Sequence, residues 1–127
     1  MKTNDLDIHM DKATFDSLDT AVSNANKESD LRITKKLLVN MGLMFLINDL
    51  TTIEIKSQMK EYPVTSGRKR IAFRLINPQL TEQVNALATR TQKHILVEIA
   101  LNRLFKKMEE TPLNQLIGEY VLIGGVL

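Results

Sequence analysis

The sequence RIAFRL occupies residues 70–75 and is followed by Ile76, Asn77 and Pro78. Its apolar and polar residues alternate, and this period of two residues predicts a β-strand that is buried on one face. Arg70, Ala72 and Arg74 would then project from the open face. Asn77 and Pro78 are typical of a helix N-cap and of a first helical residue. The sequence therefore predicts a short strand that leads directly into a helix.

A strand of this length needs a partner, because its backbone N–H and C=O groups must form hydrogen bonds. The best candidate is the stretch LDIHM at residues 6–10, which alternates in the same way and is followed by a possible helix N-cap at Asp11. Two arrangements are compatible with the sequence: the strands pair within one chain, or each strand pairs with its counterpart in another chain. We favour the pairing within one chain, since it closes the sheet most simply.

The two halves of the chain share one order of elements: an alternating strand, a capped amphipathic helix, a polar turn and a more apolar helix. The helices are predicted at about 12–26 and 35–49, then at about 78–90 and 94–108, with Thr34 as the cap of the second helix. Residues 41–43 and 99–101 correspond, because each places a small residue between two large ones. The repeat is one of pattern, since few residues are identical between the halves.

This pattern divides the chain into four parts. A first unit spans 1–49, a linker spans 50–69, a second unit spans 70–108 and an apolar tail spans 109–127. The linker is predicted from the breaks at 62–63 and 66–67, and it ends in the basic run at 68–70. The tail could fold back over the second helices or bury against a neighbouring chain. We prefer the second arrangement, because two short units should already complete their own core.

Composition narrows the classes of function. The net charge is +2, made up of −2 over residues 1–63 and +4 over residues 64–127, so the basic excess lies with the arginine strand. The absence of cysteine is compatible with a cytoplasmic protein, and the longest apolar run, 121–127, is far too short to span a membrane. The two histidines lack neighbours at metal-ligand spacing. We therefore expect no metal, no cofactor and no enzymatic activity.

A strand, a helix and a second helix within about 40 residues resemble the ribbon-helix-helix family of DNA-binding proteins, whose members include Arc, MetJ and CopG. The resemblance is carried by IAFRL, NPQLTEQVNALA and HILVEIALNRLF in the second half, and by RITKKLLVNMGL in the first. Two such units in one chain look like the TraY proteins of conjugative plasmids. The resemblance implies a mainly α-helical fold with a short antiparallel β-ribbon, in a tandem ribbon-helix-helix arrangement.

The resemblance also implies site residues, because in this family the ribbon enters the major groove and the start of each second helix holds a phosphate. The outward residues of the first strand are Asp5, Asp7 and His9. The residues that would contact bases are Arg70, Ala72, Arg74, Asp7 and His9. Those that would contact phosphates are Arg68, Lys69, Thr34, Lys35, Lys36, Gln92, Lys93 and His94. Arg74 could bond bidentately to guanine and Ala72 could meet a thymine methyl group, whereas Asp7 should be repelled by the phosphates.

The function we expect is sequence-specific binding of double-stranded DNA, in a transcriptional repressor or a plasmid-maintenance factor. The likeness to the TraY proteins adds a role as a relaxosome accessory protein at a transfer origin. The expected partners are duplex DNA, further copies of the chain on repeated sites, and a relaxase or another plasmid protein. An alternative of another class is a helical interaction module or antitoxin-like dimer, in which the arginines are only solvated charges on edge strands.

Overall fold

A computed structural model describes residues 4–63 and 68–127 of the chain, which form two strands and six helices. In chain order these are β1 (Asp5–Asp11), α1 (Lys12–Glu28), α2 (Lys35–Asp49), α3 (Thr52–Glu61), β2 (Arg68–Arg74), α4 (Pro78–Leu87), α5 (Lys93–Glu110) and α6 (Leu113–Leu122). The prediction of a mainly helical chain with a short antiparallel two-stranded sheet is confirmed at this level.

The two strands pair with each other within the chain, in antiparallel register. Asp5 lies opposite Arg74, Asp7 opposite Ala72 and Asp11 opposite Arg68. The inner face of this ribbon is apolar, with the side chains of Leu6, Ile8, Met10 and Ile71 buried in the core. The alternation in the sequence therefore corresponds to one buried face and one open face of the ribbon.

Polar caps start three of the helices where the sequence predicts them. The side chain of Asp11 accepts from the backbone N–H of Thr14, that of Thr34 from Leu37, and that of Asn77 from Leu80. Each cap satisfies a backbone donor that has no partner inside the helix. Only two residues separate the end of β2 from the cap at Asn77, so the turn from the ribbon into α4 is short.

Helix α3 lies in the segment that the sequence predicts to be a linker. Thr51 and Glu54 form a reciprocal capping box at its start, and Ile55 is 1% exposed while Ile53 is 82% exposed. The alternation of Ile53 and Ile55 suits a strand, whereas the spacing of Leu46, Leu50 and Ile53 suits a helix, so the sequence alone leaves both structures open. Residues 64–67 of the predicted linker, and residues 1–3 of the first predicted unit, lie outside the described residues.

The segment predicted as a tail contains a second added helix, α6. Leu116, Ile117 and Tyr120 are buried, and α6 contacts α2, so this part of the tail folds back on its own chain. After α6 the backbone turns at Gly124, whose φ is +102°, a conformation that glycine adopts without strain. The apolar residues left exposed at this end are Val121, Leu122, Val126 and Leu127.

The described order strand, helix, helix, helix thus occurs twice. Helix α3 follows α2 and contacts α5, while α6 follows α5 and contacts α2, and both added helices have 10 residues. Helices α2 and α5 pack closely in the core, where Gly42 meets the backbone of Ala100. These two residues occupy corresponding positions of the repeat, so the contact between α2 and α5 joins equivalent points of the two halves.

Candidate nucleic-acid interface

The open face of the ribbon carries every outward residue that the sequence predicts. Asp5, Asp7 and His9 from β1 and Arg70, Ala72 and Arg74 from β2 are all exposed. Successive side chains of a strand point to opposite faces, so these six share one side. The face is therefore mixed in charge, with arginines on one strand and aspartates on the other.

Two ion pairs cross this face. Arg70 donates from Nε to Oδ1 of Asp7 at 2.9 Å and from Nη2 to Oδ2 at 2.6 Å. Arg74 donates from Nε to Oδ1 of Asp5 at 3.2 Å. The hydrogen bond from Arg70 lowers the pKa of Asp7 below its ordinary value, and the same contact raises the pKa of Arg70. Both pairs are largely exposed to solvent, so they contribute little to the stability of the fold.

An open cleft of about 570 Å³ separates the ribbon from the start of α5. Its polar lining consists of Asp5, Asp7, His9, Arg68, Arg90, Thr91, Lys93 and His94. Five DNA-contact residues predicted from the sequence, Asp7, His9, Arg68, Lys93 and His94, therefore share one cleft. Arg90 also lines it and was not predicted. Its only sequence signal is that it precedes the polar turn before α5.

A second cleft, of about 530 Å³, lies at the start of α2 near the end of β2. The polar side chains in its lining are Arg32, Thr34, Lys36, Asn40 and Arg74, and the C-terminal residues Val126 and Leu127 also line it. Thr34 and Lys36, two of the predicted phosphate contacts, thus share a cleft with Arg74 at the end of the ribbon. Arg32 was not predicted and adds a cation to the same cleft.

Three predicted phosphate contacts have other neighbours. Lys35 forms an ion pair with Asp19 at 2.6 Å and lies 4.6 Å from the centre of the Phe15 ring. Lys69 lies 5.7 Å from the same ring. The side chain of Gln92 accepts a hydrogen bond from the backbone N–H of Thr89. None of the three lines the two clefts beside the ribbon.

A buried carboxylate anchors His94. Oε2 of Glu98 lies 2.8 Å from Nδ1 of His94, and Oε1 accepts from the hydroxyl of Tyr62 at 2.9 Å. Glu98 is 1% exposed, so it depends on these partners. Burial, followed by the hydrogen bond to Glu98, raises the pKa of Tyr62 above its ordinary range. The network joins α3 to the start of α5.

Asn40 occupies the position of α2 that corresponds to Glu98 in the repeat, and it is fully buried. Its Nδ2 donates to the carbonyl oxygens of Lys36 at 2.8 Å and of Arg74 at 3.3 Å, and its Oδ1 accepts from the backbone N–H of Ile76 at 3.0 Å. Asn40 therefore fixes the end of β2 against the first turns of α2. Neither residue is predicted from the sequence, because a polar residue inside an apolar helix gives no sign of its partner.

The described residues contain no candidate metal site. Within them, no group of three or more His, Cys, Asp or Glu residues could hold a metal ion. No single helix in the described ranges is long and apolar enough to cross a membrane. Helices α2 and α3, bent by 118° at their junction, pass that test together by length and composition alone. Most of α2 is buried in the core.

Comparisons of the chain with protein-family models, with curated proteins and with solved structures each found no match.

Proposed function

We propose that the protein binds duplex DNA by inserting its two-stranded ribbon into the major groove, as a tandem ribbon-helix-helix protein. The observation that carries this proposal is the position of the ribbon beside two helix starts that have cations next to them. Lys36 and Arg32 share a cleft with the end of β2, and Lys93 and Arg90 share a cleft with β1. The major groove admits a two-stranded ribbon, and phosphates bind well at helix N-termini.

The side chains on the ribbon and the cations in the two clefts have different proposed roles, which follow from where they lie. Side chains on the open face of the ribbon would meet base edges, which carry the sequence information. The cations in the two clefts would meet phosphates on either side of the groove and set the position of the ribbon. Arg70, Ala72, Arg74, Asp7 and His9 belong to the first group. Arg68, Thr34, Lys36, Lys93 and His94 belong to the second, with Arg32 and Arg90 added.

The biological use we propose is repression of a promoter or maintenance of plasmid DNA, with a relaxosome role at a transfer origin as the alternative. A fold of this kind does not determine which process it serves. Further copies of the chain on adjacent sites, and a relaxase or another plasmid protein, are the proposed protein partners. The exposed apolar end at Val121, Leu122, Val126 and Leu127 supports contact with another protein.

The proposal is tested by measuring the affinity for a duplex from a selected pool and for a random duplex over a range of salt concentrations. Binding should weaken linearly in log salt, with a slope that counts the phosphates neutralised. Lys36→Gln and Lys93→Gln should each reduce the slope by about 1. Lys106→Gln is the matched control, because Lys106 is exposed but lies in the last turns of α5, away from its start. The salt dependence of this variant should have the same slope as that of the wild type.

A protein-interaction module without DNA readout is the second candidate, and the same exposed apolar end favours it. The two candidates differ in one measurement. An interaction module would bind the selected duplex and the random duplex equally and weakly, and it would lose no preference in the arginine variants. Equal binding of both duplexes by the wild type would therefore reject sequence-specific DNA binding.

A further inference from the structure

The ion pair between Arg70 and Asp7 uses only one edge of the guanidinium group. Asp7 accepts from Nε and from Nη2, which form the side edge of the group. A guanidinium has five N–H donors in a planar fork. The contact therefore leaves the second hydrogen of Nη2 and both hydrogens of Nη1. Nη1 and Nη2 form the end edge of the group, which remains able to donate two parallel hydrogen bonds.

Two parallel donors at the end of an arginine match the O6 and N7 acceptors of guanine in the major groove. Asp7 holds the plane of Arg70 through two bonds, so less side-chain freedom would be lost when the end edge meets a base. Ala72 lies opposite Asp7 in the register and is too small to cover the pair. The side chain of Arg70 is 65% exposed and can be reached from outside the ribbon.

The second ion pair on the same face, between Arg74 and Asp5, can be compared with the pair between Arg70 and Asp7. Asp5 is bonded to Arg74 by a single hydrogen bond of 3.2 Å, so it leaves the guanidinium free to rotate about that bond. The sequence alone favoured Arg74 as the reader of guanine and treated Asp7 as repulsive. The geometry favours Arg70 instead and gives Asp7 a positive role.

We infer that Arg70 reads a guanine through its end edge and that Asp7 is a positioning residue that holds Arg70 for this contact. The inference rests on the proposed DNA binding and names the base that one part of the ribbon recognises. This role of Asp7 predicts an effect that repulsion between Asp7 and the phosphates would not produce. Removing the charge of Asp7 should strengthen binding to a random duplex, because a repulsion is lost, but it should weaken the discrimination between the selected and the random duplex.

The experiment begins with duplexes that the full-length wild-type protein selects from a random pool. Each recurrent guanine is replaced in turn by 7-deazaguanine, which lacks the N7 acceptor. One replacement should weaken binding of the wild type about tenfold, the scale of a bidentate base contact. The same replacement should have almost no effect on Arg70→Gln. Arg70→Lys keeps the charge and can still donate to N7 or O6, but it lacks the edge that Asp7 holds, so the replacement should weaken its binding less than that of the wild type.

The role of Asp7 is tested by the ratio of the affinities for the selected and the random duplex. In Asp7→Asn the affinity for the random duplex should rise, while the ratio falls about tenfold. Asp5→Asn is the matched control, and its ratio should fall much less. In the free protein, the Nε–H signal of Arg70 should lose its protection from solvent exchange in Asp7→Asn, with the amide spectrum of the ribbon otherwise retained.

The outcomes separate this inference from the proposed function. If Asp7→Asn raises both affinities by the same factor, Asp7 is only a repulsive charge and the inference is overturned. An equal loss of ratio in Asp5→Asn also overturns it, because the two-bond contact would then have no special effect. If the wild type shows no preference for any duplex, the proposed sequence-specific binding itself fails.

Discussion

A Cβ atom on Gly42 would lie 3.0 Å from the carbonyl oxygen of Ala100 and 3.2 Å from its carbonyl carbon. The obstacle is the backbone of α5, which cannot move aside without separating the two central helices. We therefore predict that Gly42→Ala lowers the free energy of unfolding by about 1–3 kcal/mol, the usual cost of overpacking a core. Denaturant unfolding followed by circular dichroism measures this change.

Gly118 provides the control for that substitution. It also lies inside a helix, α6, but a Cβ atom there would have no neighbour within 4 Å. Because alanine is a better helix former than glycine, Gly118→Ala should raise the free energy of unfolding by about 0.5–1 kcal/mol. If both substitutions stabilise the protein equally, α2 and α5 do not pack as closely at Gly42 as described.

The contact between Asp7 and Arg70 predicts a change in titration. The pKa of Asp7 is lowered from 3.8 by its hydrogen bond to Arg70. Arg70→Gln should therefore raise the pKa of Asp7 toward 3.8, as measured by NMR of the side-chain carboxyl carbon. Because the pKa is lower in the folded state, the small stabilisation from this group is present above pH 3.8 and disappears as the pH falls through the lowered value.

Arg74→Gln serves as the control for this titration, because Arg74 is bonded to Asp5 and not to Asp7. It removes the same charge from the same face. The pKa of Asp7 should change far less in this variant than in Arg70→Gln. Equal shifts in the two variants would mean that the general field of the ribbon, and not the specific contact, holds Asp7 ionised.

Both tyrosines of the described chain should resist ionisation at alkaline pH. Burial raises the pKa of Tyr62 and of Tyr120 above 10.0, and the hydrogen bond to Glu98 raises that of Tyr62 further. The stabilisation from these groups is fully present below pH 10.0 and is lost as the pH rises toward the folded values. Tyrosinate absorbance should therefore appear at higher pH in the folded protein than in denaturant. Glu98→Gln should lower the pKa of Tyr62 and leave that of Tyr120 unchanged.

The features that the sequence predicted well are those that depend on near neighbours. The alternation around Ile71 and Ile8 determines which face of each strand is buried, and the caps at Thr34 and Asn77 are set by side chains three residues from their partners. The pairing of the two strands was predicted because each needs a partner and the chain holds two of them. These inferences use local geometry and one requirement for hydrogen bonding.

The features that the sequence did not predict depend on contacts between distant residues. Helix α3 buries Ile55 and contacts α2, α4 and α5, so the pattern of its own residues does not identify it. The contact between Arg70 and Asp7 joins residues 63 positions apart and depends on the exact register of the ribbon. The hydrogen bond from Tyr62 to Glu98 joins residues 36 positions apart. Composition and spacing carry no information about such pairs.

The last prediction concerns Asn40, which joins the end of the ribbon to α2. Asn40→Ala would remove the hydrogen-bond partner of the backbone N–H of Ile76 and one partner of the carbonyl of Arg74. Because a buried backbone group without a partner is costly, we expect the free energy of unfolding to fall by about 1–3 kcal/mol.

Asn48→Ala is the control, since Asn48 is exposed and bonds only weakly to Asp49 at 3.3 Å. Its effect on the free energy of unfolding should stay within about 0.5 kcal/mol. Hydrogen exchange adds a local readout: the amide of Ile76 should lose protection in Asn40→Ala but not in Asn48→Ala. If the amide keeps its protection, Asn40 does not anchor the ribbon.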